Sequence, residues 1–179
     1  APTACMFPHS STSDNVVLSL KAAPVHMCIP DGYAEFSPPS GTEAVIECVW
    51  ASSTTRHGSI AVHPDGCVDL LLRGNSQSVR IDVVGAMSST RQVATAAGDY
   101  HMGVRIRPGY ARSVFGAGIE LLTDRTTPLV ARWGARGEAT AGMMLSAEHP
   151  GALSPLLTAL SDEACAASDR AQIGIDALV

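Results

Sequence analysis

The sequence predicts an α+β fold: a β-sandwich or barrel, followed by helices. Two observations carry this. Up to about residue 107 the chain is a series of short β-branched runs separated by Gly, Pro, Asn, Ser or Asp, a spacing that suits a sandwich or barrel. After Pro108 the apolar spacing turns helical, and strands first with helices later is the α+β order. Composition agrees. In 179 residues, 46% are hydrophobic and only 16% charged, which argues for one domain with a well-filled core rather than disorder. Aromatic residues make up 4%, so aliphatic side chains must fill that core.

Seven segments read as strands: Val16–Leu20, Ala44–Trp50, Gly58–Val62, Cys67–Arg73, Ser78–Val84, Arg91–Ala96 and Tyr100–Arg107. Pro64-Asp-Gly66 and Arg73-Gly-Asn-Ser76 read as hairpin turns, since their residues tolerate positive φ. In the last strand Arg105 and Arg107 fall on one face, opposite Met102, Val104 and Ile106. Pro108–Gly118 and Pro128–Trp133 read as short helices with Pro near their starts, and Glu138–His149 as a third. Ala152–Ala167 spaces Leu153, Leu156, Leu157, Leu160 and Ala164 as one apolar stripe.

Several function classes are excluded or disfavoured. The net charge is −5, with one lysine (Lys21) and eleven scattered arginines, so this chain by itself is not expected to bind DNA. No apolar run approaches the ~20 residues that span a bilayer, and no secretory leader is evident. Five cysteines (Cys5, Cys28, Cys48, Cys67, Cys165), never as C-x-x-C, fit free thiols in a reducing cytoplasm. Convergence of Cys28, Cys48 and Cys67 as a thiol sensor is a further option, set against ordinary buried thiols. The six histidines show no His-x-His with a following Glu, which disfavours a metalloenzyme. There is no G-x-S-x-G elbow or dinucleotide loop, so neither enzyme activity nor a cofactor is expected.

Four blocks carry a family resemblance. Gly103-Val-Arg-Ile-Arg-Pro-Gly109 resembles the G-V-R-F-x-P-G signature in the sensor domain of one group of AraC-type transcriptional regulators. Tyr33–Pro39 with Val45–Trp50, Pro64–Leu72 with Val83–Gly85, and Leu129–Gly134 resemble other blocks of that domain in order. The resemblance covers roughly residues 31–165. It implies a cupin-like β-barrel or jelly roll with a C-terminal helical subdomain. It also implies a small-molecule effector, a homodimer, and DNA contact only through a C-terminal helix-turn-helix domain. The expected organisation is an unassigned extension over 1–30, a sensing barrel with helices over 31–150, and a linker or dimerisation helix over 151–168. Residues 169–179 read as the truncated start of the DNA-binding domain.

Candidate ligand-binding residues are Trp50, Asp69, Arg105, Tyr33, Cys67 and Arg107. Arg105, with Arg107, can grip an anionic or carbonyl-bearing effector while Asp69 orients it, and Trp50 and Tyr33 can wall the site. The competing reading makes Asp69 and Arg105 a structural fork between neighbouring strands. Trp133, before Gly134, is expected between the strands and the helices. Leu153, Leu157, Leu160 and Ala164 suit a two-helix dimer seam or, equally, packing on the barrel. The alternatives at the level of function are a small cupin-like metalloenzyme and a ligand-free dimerisation module.

Overall fold

The computed structural model describes residues 31–176, with side chains through residue 169. Among the described residues eight strands are present: β1 (Gly32–Phe36), β2 (Ile46–Ser53), β3 (Gly58–Val62), β4 (Val68–Gly74), β5 (Val79–Val84), β6 (Arg91–Thr95), β7 (Tyr100–Ile106) and β8 (Thr126–Pro128). The helices are α1 (Ala111–Phe115), α2 (Leu129–Trp133), α3 (Ala135–Leu145) and α4 (Ser154–Asp176). The α+β expectation holds, with an antiparallel sheet ahead of the helices. The six strands expected between residues 44 and 107 form within a few residues of their predicted bounds, whereas β1 and β8 carry no strand signal of their own. The expected strand at Val16–Leu20 lies outside the described residues.

Six strands make one antiparallel sheet in the order β1-β2-β7-β4-β5-β8, and β3 pairs with β6 in a separate ribbon. The β2–β7 ladder turns a corner into that ribbon, where Thr54 N donates to Asp99 O (3.0 Å) and Gly98 N to Thr54 O (2.8 Å). The ribbon's course follows from register. The chain leaves β2 at Ser53, beside Tyr100, and must reach Val68, beside Ile106, at the opposite end of β7. β3 makes that return, and β6 runs back the other way from the Val84 end. Pro64–Gly66, with Gly66 at φ 74°, is therefore a crossover from ribbon to sheet and not the hairpin turn expected, because β3 and β4 do not pair. The β4–β5 turn is a true hairpin: Asn75 N donates to Ser78 O, and the Asn75 side chain accepts from Gln77 N and Ser78 N.

Alternation divides the sheet into two faces. Val49, Ala51, Val68, Leu70, Leu72, Val83, Met102, Val104 and Ile106 are buried on one. All of these except Ala51 join Val114 and Phe115 of α1, Leu129 of α2, Met144 of α3 and Leu156, Leu157, Leu160 and Ala164 of α4 in one core cluster. Leu153, Leu157, Leu160 and Ala164 are at most 2% exposed. The stripe therefore packs within the chain's own core. α4 runs without a break through 168 to Asp176.

Trp133 sits among the helices, stacked on Phe115 (ring centroids 5.3 Å apart) with the Arg136 guanidinium 4.1 Å from its ring centre. Arg132 donates to the carbonyls of Phe115, Gly116 and Ala117, satisfying the end of α1. Among the described residues no helix is long and apolar enough to cross a membrane.

Candidate functional site

The second face of the sheet is polar, and the strand register builds it in rows. Cys48, Arg105 and Asp69 lie side by side, then Trp50, Gly103 and Leu71, then Ser52, His101 and Arg73. β1 adds Glu35 opposite Trp50 and Tyr33 opposite Ser52. The return from the ribbon passes over this face, because Asp65 at its end reaches Arg105.

Trp50 and Gly103 are made for each other. A Cβ built on Gly103 would stand 2.1 Å from Trp50 Cε2 and 2.2 Å from Nε1, so the indole lies directly over the glycine. Trp50 Nε1 donates to Asp69 Oδ2 at 3.2 Å, which fixes the ring's rotation. The Tyr33 ring sits tilted beside it, centroids 5.8 Å apart, and its hydroxyl donates to Glu35 Oε1 at 2.5 Å. The result is an aromatic shelf with Trp50 half-buried and Tyr33 exposed.

Arg105 anchors the charge of the site. Its Nε lies 3.4 Å from Asp69 Oδ1 and 3.3 Å from Asp65 Oδ2, and its Nη1 lies 3.5 Å from Glu35 Oε1. These contacts are longer than an ideal two-pronged fork, so the guanidinium is shared among three carboxylates rather than locked to Asp69 alone. Burial pushes the Asp69 carboxyl up to about 6, against the opposing pull of Arg105. Arg105 is buried too, a loss more than offset by Asp69 and Asp65, which keep it firmly protonated.

Trp50, Asp69, Arg105 and Tyr33 thus come together as the sequence suggests. Cys67 and Arg107 stand to one side with Glu47. The Cys67 thiol faces Glu47 Oε2 at 3.4 Å, and Arg107 lies 3.7 Å from the same oxygen while its Nε donates to Glu43 O at 2.8 Å. Arg107 follows the last residue of β7, so the strand alternation that paired it with Arg105 no longer applies. Burial raises the Cys48 thiol to about 11 and the Cys67 thiol to about 12, far from the thiolate character a redox sensor needs. Cys67 directly precedes β4, and β7 runs between β2 and β4; Cys28 lies outside the described residues.

Glu35, Asp65 and Gly103 escaped the sequence reading. Glu35 is two residues from Tyr33 and shares its face by strand alternation, so recognising β1 would have found it. Gly103, a glycine inside a strand, signalled a close approach. Nothing local places Asp65 on Arg105. At the far end of the face Asp82, 2% exposed, accepts from Arg73 and Arg80. His101 faces Ser52 at 3.3 Å, and burial lowers its pKa. Among the described residues no three His, Cys, Asp or Glu side chains are grouped to hold a metal ion.

The fold and site define a small α+β domain whose antiparallel sheet is apolar behind and carries a charged aromatic shelf in front. By family the chain belongs to DUF6597, a domain of unknown function, whose model matches residues 34–128, just over half of the chain. No curated protein and no solved structure matches it. The matched span contains Glu35, Trp50, Asp65, Asp69, Gly103 and Arg105 but ends before α2.

Proposed function

We propose that this chain is the effector-sensing part of an AraC-type transcriptional regulator. On this reading the sheet and its returning ribbon are a cupin-like barrel, open on the polar face, and a small molecule lodges against Trp50 and Tyr33. The four sequence blocks support the assignment, and one structural observation supports the mechanism. β7 presents Gly103 and Arg105 to the polar face while Met102, Val104 and Ile106 are buried in the core that also holds the stripe of α4. A ligand that shifts β7 thereby presses on the packing of α4. It changes the helix only by as much as it binds one arrangement better than the other. In the full regulator α4 would lead toward a helix-turn-helix domain, and its setting would bias how paired domains meet their half-sites.

The test is a thermal-shift screen against a broad metabolite panel. A ligand at a hundred times its dissociation constant stabilises by about 2.7 kcal/mol, and that shift should vanish in Trp50→Ala while the variant stays folded. A panel without a hit contradicts the sensor reading and favours a ligand-free module.

A further inference from the structure

The charge around the aromatic shelf bears on the class of ligand. An effector held by Arg105 was expected to be anionic or carbonyl-bearing. Arg105 is already surrounded, among the described residues, by Glu35, Asp65 and Asp69. An anion would have to displace one of these carboxylates and then face the other two. Three carboxylates against one guanidinium leave this cluster net negative, and it stays so if Asp69 takes up a proton.

The carboxylates are unequally available. Asp69 is held by Trp50 and Arg105 behind the indole. Glu35 is 52% exposed at its side chain and Asp65 38%, so both reach solvent beside the shelf. Tyr33 and Arg105 both engage Oε1 of Glu35, leaving Oε2 without a hydrogen bond among the described residues. Two aromatic rings beside exposed carboxylates attract a positive charge through the ring quadrupole and through charge-assisted hydrogen bonds. The rings also cover an apolar body.

We infer that the aromatic shelf takes an organic cation, an ammonium or guanidinium on an apolar body, with the charge at Glu35 and Asp65 and the body on Trp50 and Tyr33. This rests on the sensor reading and narrows its effector to one chemical class. Arg105 is then a positioning residue, holding the carboxylates in place without touching the ligand.

The experiment uses the intact chain labelled with ¹⁵N and follows the Trp50 indole N–H, assigned with Trp50→Phe. Phenethylammonium chloride and sodium phenylacetate are titrated separately at equal ionic strength. The expected result is a saturable shift with phenethylammonium and none with phenylacetate. Glu35→Gln and Asp65→Asn, both at exposed side chains, should each weaken phenethylammonium by roughly five- to tenfold. A saturable shift with phenylacetate alone overturns the cation assignment but leaves a small-molecule site on this face. Silence of both probes overturns it as well, and the metabolite screen then judges the sensor reading separately. Phenethylammonium binding unchanged in both carboxylate variants also overturns it.

Discussion

The two faces of the sheet are built from the same strands and by opposite rules. Behind it, Leu70, Leu72, Met102, Val104 and Ile106 are wholly buried under helices. In front, the same strands hold Asp69, Arg105, Trp50, His101 and Arg73, partly exposed and linked by hydrogen bonds and ion pairs. A protein that needed only stability would gain little from the second arrangement, since burying charged pairs seldom stabilises more than apolar packing does. Apolar packing thus lies behind the sheet, and the charged and aromatic side chains lie in front of it.

The largest expected effect comes from breaking the rear face. Leu157→Ala should cost about 3 kcal/mol in urea unfolding, because the side chain is 1% exposed within the core. A loss of dimer with little loss of monomer stability would instead favour the seam reading. Next is the shelf. Gly103→Ala forces the Trp50 indole off its seat, costing about 2 kcal/mol and moving the indole N–H signal. An unchanged signal would mean that the ring does not lie on the glycine.

A smaller effect follows from Asp69. Its carboxyl titrates near 6 when folded against an ordinary 3.8. Between about pH 4 and 6 the folded chain keeps a proton that the unfolded chain has released, so this group withdraws stability as pH rises through that window and no more above it. Asp69→Asn removes that slope, and its stability should fall about 1–2 kcal/mol less than wild type between those limits. Parallel slopes would contradict the burial of the carboxylate.

The smallest effect is chemical. In native protein at pH 8, alkylation read by peptide mapping should mark the exposed Cys165 and spare Cys48 and Cys67, both buried with raised thiol pKa values. Prompt labelling of Cys67 would reopen a thiol-sensing role.

The contrast between the faces also marks how far the sequence could be read. β2 through β7 were legible because β-branched runs and turn residues are local signals. β1 was not, because Gly-Tyr-Ala-Glu-Phe holds no β-branched residue; β8 is a three-residue edge that owes its existence to β5. Strand order was not legible either, since β2 pairs with β7 across some fifty residues. Hence Trp50, Asp69 and Arg105 could be named from blocks of sequence, while Asp65, brought in by a crossover, could not. The stripe of α4 was legible as apolar, but periodicity alone does not tell a core from a seam.

The most direct test of the link between the faces is hydrogen exchange, with and without the compound giving the largest thermal shift. The account predicts altered protection in β7 and, through Met102, Val104 and Ile106, in the amides of α4 between residues 156 and 164. Altered protection confined to β2, β4 and β7, with α4 exchanging as before, would contradict it.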